Sequence, residues 1–540
     1  MPTYDVIVRN ASVYDGGGSA PYVADVAVRD DHIARIAPRV DGTARQEIDA
    51  RGLAVAPGFI NMLSWANVTL LADGRSQSDL RQGVTLEVLG EGTSMGPLSP
   101  AMKREMASRQ GDLKYDVAWT TLGEYLDHLA ARGVSCNVAS FMGATTARIH
   151  VIGYENRLPS PRELDRMRDL VRAAMAEGAV GVSSALIYPP ATYSDTAELI
   201  ALAEVAAEAG GLYISHVRNE ESYIEGALDE FITVARRIAR SEIYHLKVSG
   251  KTNWHRLDGV LARIDAERAR GLAITADVYP YTASSTGLDT GIAPWAHEGG
   301  EAAMITRLRD PAMRERIKAE MALFAGAENI LVIGFRNPAL KPLTGKSLAE
   351  VAAQRGTDWR DVVMDLIIEN DADVGAVFFT MSEENLRRII VTPWVSFCSD
   401  AGSYAAEGVF LQMGTHPRAY GSFARVLGRY VRDEGIIPMA EAVRRMTSFP
   451  AGTLRLRDRG RLAEGYFADV VVFDPETIAD RATYEQPHQY AVGVRDVLVN
   501  GVPVIAGGKH TGATPGRVVR GPGWTHTRAQ RDGIRGGYGG

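Results

Sequence analysis

A chain of 540 residues, 46% hydrophobic and 23% charged, has the composition of an ordinary globular protein and excludes a disordered one. Its formal net charge of −7 is spread along the chain, which speaks against nucleic acid as a partner, since nucleic-acid-binding proteins show a basic face. Two cysteines, Cys136 and Cys398, exclude a disulfide framework; "MPTYDVIVRN" has no signal pattern and no apolar run reaches membrane length, so a cytoplasmic protein without membrane contact is expected.

Taken in chain order, residues 4–56 alternate apolar and polar, as in "YDVIVRNASVYDGGG" and "VADVAVRDDHIARIAP", with Gly and Asp between the runs. This predicts short antiparallel strands. From there the texture changes. "GVTLEVLG", "GVSCNVASF", "AVGVSSAL", "GLYISHV", "IYHLKVSG", "AITADVYPY" and "WVSFCSD" are short apolar runs, most of them bracketed by helical segments such as "SPRELDRMRDLVRAAMAEG". Seven or eight such units, with no Gly-rich dinucleotide turn, favour an α/β fold of the (β/α)8 barrel type over a doubly wound sheet. Residues from about 288 to 350 break the repeat and read as an insertion over the barrel mouth. "GRLAEGYFADVVVFDP" and "VRDVLVNGVPVIAGGKH" return to the strand texture of the N-terminus, with Asn500-Gly501 as a hairpin turn. The two ends are therefore expected to share one small β domain, residues 1–57 with 451–512, around a barrel at 58–450. The Gly- and Arg-rich tail 513–540 is expected to be extended or disordered.

In such barrels the chemistry sits at the C-terminal ends of the strands. Those ends place Glu91 in "LGEGTS", Tyr188 in "ALIYPP", and His216 in "YISHVRNE". They also place His245 and Lys247 in "IYHLKVSGKTNW", Asp277, Tyr279 and Ser285 in "ADVYPYTASSTG", and Asp400 in "SFCSDAG". A lone strand-end His more often caps a carbonyl than binds a metal. Two His, an Asp and a Lys at successive strand ends read instead as convergent groups. Two imidazoles can hold one metal, and an Asp can serve as general base on a water whose pKa the metal lowers to roughly 7. Lys247, two residues beyond His245, points into the same mouth by the period-two alternation of a strand, as a substrate contact. Tyr188 and Tyr279 read first as rim packing, each aimed by the Pro after it. His255, His297 and His416 lie in loops and are not taken as ligands.

The motifs "APGFI", "QGVT", "GAVGVSSALIYPP", "YISHVRNE", "HLKVSG", "YPYTASSTGL", "SDAG", "HPRAYGSFARVLGRYVRDE", "MTSFPA" and "DRGRLAEGYFADVVVFDP" stand in order along the chain. On them, from Tyr4 to about Gly508, the sequence resembles the D-aminoacylases (N-acyl-D-amino-acid deacylases) of the amidohydrolase superfamily. The resemblance implies a metal-dependent (β/α)8 barrel, a small β-sandwich domain built from both termini, and hydrolysis of an amide bond. By position, His216 and His245 look like zinc ligands and Asp400 like the catalytic acid/base. Lys247, Tyr188, Tyr279, Ser285 and Arg418 look like the groups that hold the substrate carboxylate and acyl amide.

Two departures stand out. The family's first-strand His-x-His is Leu63-Ser64-Trp65 here, and its Gly-Asn-Cys-Gly is Gly90-Glu91-Gly92-Thr93. Leu63 and Trp65 are expected to replace one metal position with an apolar wall. The other position is expected to survive with one Zn2+ per chain on His216, His245 and Glu91, because Glu oxygen with two His is a competent zinc set. Glu91 stands one residue out of register with the lost Cys. It reaches the metal only if the strand has ended and the flanking glycines bend the loop. A dead relative should also have lost its base and anchors, yet Asp400, Lys247 and Arg418 remain.

The leading expectation is a hydrolase acting on an N-acyl amino acid or related small amide. Hydrolysis of a cyclic amide, amide-forming acyl transfer, and a catalytically silent small-molecule-binding barrel are the alternatives. The sequence leaves self-association into a homo-oligomer open.

Overall fold

The computed structural model describes residues 2–238 and 240–525. Strands from both ends of the chain share one nine-stranded sheet. Tyr4–Val13 pairs antiparallel with Tyr22–Arg29 and parallel with Ala44–Asp49. Beside it Ala54–Pro57 runs antiparallel to Val470–Phe473, the first strand of the C-terminal block. Alternation drives the pairing. Val6, Val8, Ala11 and Val13 face one core with Val26, Val28 and Val470, while Ile7, Ala27 and Val40 form a smaller cluster on the opposite side.

The middle of the chain is α/β. Its strands are β1 (Phe59–Ser64), β2 (Val84–Leu89), β3 (Asn137–Ser140), β4 (Gly181–Ala185), β5 (Leu212–His216), β6 (Arg240–Ile243), β7 (Ala273–Val278) and β8 (Val395–Phe397). Neighbours β1-β2-β3 pair parallel in one sheet, and β4 to β8 pair parallel in a second that also takes in Met142–Gly143. Between β8 and β1, Ala401 bridges Ser64 in parallel. Ile60, Met62, Leu86, Val88, Ala139 and Ile214 pack together as one core. Helices cover the opposite side. Pro161–Ala176 begins at a reciprocal cap between Ser160 and Glu163 and buries Met167, Val171, Ala174 and Met175, the spacing of one helical face. No helix among the described residues is long and apolar enough to cross a membrane.

Between β7 and β8 the chain builds a separate unit. Ser284–Gly287 and Ile330–Gly334 flank Gly375–Phe378 in an antiparallel sheet, over a core that includes Leu288, Leu308, Val332, Val362 and Phe378. The unit spans 284–378 and encloses the expected 288–350, because its central strand returns late to pair with its first. Residues 513–525 run as a strap past the start of β3: Gly516 N–H donates to Val134 O and Val519 N–H to Val138 O. The rest of the expected tail, 526–540, lies outside the described residues.

A buried ion pair ties the helix Ala144–Val151 to the helix Thr196–Glu208. Arg148 Nη1 stands 2.5 Å from Glu198 Oε2, with side chains 1% and 3% exposed. Burial is the largest influence on Glu198 and raises its carboxyl, against the pull of Arg148. Arg148→Met strands a buried carboxylate and is expected to cost about 3–5 kcal/mol, seen as a lower thermal midpoint. Arg148→Met with Glu198→Leu is expected to recover most of it. A double variant no more stable than the single one contradicts this account.

Candidate active site

A cavity of about 620 Å³ opens where the C-terminal ends of the parallel strands meet the inserted unit. Of the strand-end residues expected from the sequence, all but Asp277 line it, and so does Arg418. β5 delivers His216 and the turn after β6 delivers His245, whose rings meet edge-on at 4.4 Å. Between them comes Glu91. Its Oε1 lies 3.1 Å from His216 Nδ1 and 3.2 Å from His245 Nε2. The loop after β2 reaches this point because Gly90 and Gly92 take φ of +98° and +61°. A Cβ at Gly90 would stand 2.5 Å from Phe141 O, and one at Gly92 2.5 Å from Ala185 Cβ, so only glycine fits either place.

The outer ring nitrogens face a residue the sequence reading missed. Glu220 Oε1 lies 2.6 Å from Lys247 Nζ, 3.3 Å from His245 Nδ1 and 3.5 Å from His216 Nε2. One carboxylate oxygen thus faces both imidazoles and the lysine. Glu220 sits in "YISHVRNE", four residues beyond His216. That acid after a strand-end His was the available signal. Lys247 also stands 2.8 Å from His245 Nδ1, so it is engaged with Glu220 and His245 rather than free for a ligand.

Burial would raise the Glu91 carboxyl, but hydrogen bonds with His216 and His245 outweigh it and hold it well below the carboxylate range. Glu220 is likewise held low against burial, chiefly by Lys247 and His216. Burial lowers His216. His245 is pushed up to about 10: burial and Lys247 oppose this, and Glu220 and Glu91 overcome them.

The set fits a divalent cation. Glu91, His216 and His245 offer ligand atoms that all lie within 4.8 Å of one another, and two imidazole nitrogens with a carboxylate oxygen are zinc donors. His216 Nε2 is buried without a hydrogen bond, with Glu220 Oε1 3.5 Å away and the Tyr188 ring edge-on to the imidazole. A cation would have to displace the proton from His245, which couples its binding to pH.

Asp400 closes the other side. It is 7% exposed, has φ of +50°, and donates its backbone N–H to Leu63 O. Its Oδ2 pairs with Arg418 Nη1 at 2.7 Å, and its Oδ1 accepts from Trp65 Nε1 at 3.1 Å. Burial lifts the Asp400 carboxyl, with Arg418 and His245 opposing. Arg418 lies over the Tyr279 ring at 4.6 Å, and its Nε is buried without an acceptor. Tyr188 sets its ring edge against His216 and its hydroxyl 2.9 Å from Thr286 Oγ1. Tyr279 is fully buried. Ser285 Oγ donates to Ala376 O, inside the inserted sheet, so that sheet already uses its proton.

Two further expectations need revision. Leu63 and Trp65 do not form one apolar wall: Leu63 is fully buried, while Trp65 is 39% exposed, lines the cavity and hydrogen-bonds there. Asp277, read as a strand-end group, accepts the backbone N–H of His245 at 2.7 Å and so supports that residue's positive φ.

A profile of the Amidohydrolase family matches residues 412–505. The chain is 34% identical to a D-aminoacylase of Alcaligenes xylosoxydans xylosoxydans over 96% of its length and 97% of that protein's. It resembles, at 32% identity and a TM-score of 0.80, the N-acyl-D-glutamate deacylase of Bordetella bronchiseptica. That crystal structure holds zinc and a phosphonate inhibitor that mimics the tetrahedral intermediate of the reaction, and the match covers 96% of this chain and 99% of that one. A D-aminoacylase structure that addresses its binuclear metal centre, described as one-metal activation and second-metal attenuation, is 33% identical with a TM-score of 0.81, over 96% of this chain and 100% of that one.

Proposed function

The chain belongs to the D-aminoacylase family of the amidohydrolases, and from that premise we propose that it is a zinc-dependent hydrolase of N-acyl amino acids of the D series. The observation that carries the reading is the convergence of Glu91 Oε1, His216 Nδ1 and His245 Nε2 beside Asp400. The parallel order of β1 to β8 supports a (β/α)8 barrel over residues 58–450. The sheet shared by both ends supports a small β-sandwich domain from 1–57 and 451–512. One metal per chain is supported by Leu63 and Trp65, which offer no metal-binding atom where the family has its His-x-His. Two buried free cysteines support a cytoplasmic setting.

Glu91, His216 and His245 hold the ion in this reading, and Glu220 keeps the imidazoles oriented through their outer nitrogens. The ion when bound polarises the acyl carbonyl and lowers the pKa of water beside it towards about 7. Asp400 takes the proton from the attacking water as the C–O bond forms. It returns that proton to the nitrogen as the C–N bond breaks, leaving a free acid and an amine. Arg418 binds the substrate carboxylate through Nε, which lacks an acceptor, while its Nη1 stays with Asp400, and Lys247 adds positive charge near the same mouth. Tyr188 and Tyr279 wall the acyl group.

The test is turnover of zinc-loaded protein on N-acetyl-D-amino acids, their L enantiomers and their C-terminal amides. Release of the free D-amino acid is expected. Arg418→Met is expected to raise KM for the acid about 10- to 100-fold, the scale of a charged hydrogen bond, with little change for the amide. Because Arg418 also touches Asp400, kcat falls for both, and only the KM difference speaks to the carboxylate. Equal KM effects on acid and amide reject the carboxylate reading and favour a neutral cyclic amide.

A further inference from the structure

Trp65 occupies the position of the second histidine of the family's pair, but its indole is not idle. Nε1 lies 3.0 Å from Glu91 Oε2 and 3.1 Å from Asp400 Oδ1. An indole has one donor and no acceptor, so this single N–H is shared between two carboxylates that otherwise repel. The geometry divides the oxygens cleanly. Glu91 turns Oε1 to the imidazoles and Oε2 to Trp65, while Asp400 turns Oδ2 to Arg418 and Oδ1 to Trp65. The backbone holds the three groups in one frame. Trp65 N–H donates to Ala401 O and Asp400 N–H to Leu63 O, lacing the end of β1 to the loop after β8. Beneath Trp65, Ser64 Oγ donates to the buried Glu87 and accepts from Ala66 N–H.

We propose that Trp65 is a positioning residue whose indole N–H stands in for a second cation, aiming Glu91 Oε1 at the metal position and holding Asp400 towards the substrate. The proposal rests on the zinc hydrolase reading. In a two-cation centre the carboxylates would be drawn together by positive charge; here a neutral donor does so, and its ring fills space open to the cavity. Without the N–H, Glu91 keeps its imidazole contacts but its carboxylate plane is free to rotate about Oε1. Groups that orient a metal ligand from behind are worth about 10- to 100-fold in metal affinity.

Trp65→Phe keeps the ring and deletes the donor. Zinc affinity, measured by competition with a chelator of known strength, is expected to weaken about tenfold or more. At saturating zinc, kcat is expected to fall about tenfold with KM within about twofold, because Asp400 is affected and the Arg418 anchor is not. Trp65→Gln, which keeps an N–H donor without the ring, is expected to recover part of the zinc affinity; a Gln variant as weak as Phe argues for the ring rather than the donor and overturns the proposal. So does Trp65→Phe with zinc affinity and kcat within about twofold of wild type. A wild-type protein that takes up no zinc overturns the hydrolase reading, and this proposal with it. A wild type that binds zinc while Trp65→Phe binds it equally well overturns this proposal alone.

Discussion

Asp400→Asn is expected to fold, to keep its zinc, and to lose about 10²- to 10⁴-fold in kcat, the usual contribution of a positioned general acid–base group. The fold should survive because Asn, like Asp, tolerates the positive φ of +50° found here. Its side-chain oxygen can still accept from Trp65, so the local frame has a donor to hold it. The metal should survive because Asp400 is outside the convergent set of Glu91, His216 and His245. What Asn cannot do is take a proton from water and return it to nitrogen. KM should move little, since Arg418 keeps its unpartnered Nε for the substrate. Steady-state kinetics with elemental analysis of the same sample decide the matter. An Asp400→Asn enzyme within about threefold of wild type contradicts a role of that size.

The second large effect concerns the metal itself. His216→Ala or His245→Ala is expected to abolish stable zinc binding and, with it, turnover. Two remaining donors cannot make the closed set that a tightly held zinc needs. Glu91→Gln should weaken the metal strongly while disturbing the fold little. Gln has the same shape, but its amide oxygen is a poor zinc ligand beside a carboxylate. The Glu91 exchange also removes the negative charge that helps push His245 up to about 10, so His245 should give up its proton more readily. That gain does not replace a lost ligand. Elemental analysis after gel filtration measures all three, and a full zinc complement in His216→Ala or His245→Ala rejects the assignment.

The sequence was most informative where side-chain period alone decides structure. The alternation of "YDVIVRNASV" and "ADVVVFDP" placed strands at both ends of the chain, and these pair in one sheet because each buries a complementary apolar face. The strand-end rule brought His216, His245 and Asp400 to one cavity, since parallel strands that share a direction carry their ends to one side. Glu91 was legible through its glycines: the bend demanded by the register argument appears as two positive φ values.

Other features depend on contacts that no local pattern encodes. Glu220 follows His216 by four residues on a loop, and only the fold of that loop returns its carboxylate to both rings. Trp65 reads as apolar by composition, and its one polar atom matters only because two distant carboxylates, Glu91 and Asp400, arrive beside it. Ser285 was expected to face substrate. The pairing of Ser284–Gly287 with Gly375–Phe378, across a long insertion, keeps it on the cavity lining and gives its hydroxyl proton a backbone acceptor. Lys247 points into the mouth as alternation requires, but Glu220 and His245 engage its ammonium there.

The central claim is a single zinc held by Glu91, His216 and His245, and anomalous diffraction at the zinc edge from crystals grown with zinc tests it most directly. The account predicts one strong anomalous peak per chain, bonded to Glu91 Oε1, His216 Nδ1 and His245 Nε2, with none at Trp65. No peak among these three residues, or one that leaves Glu91 uncoordinated, would contradict it.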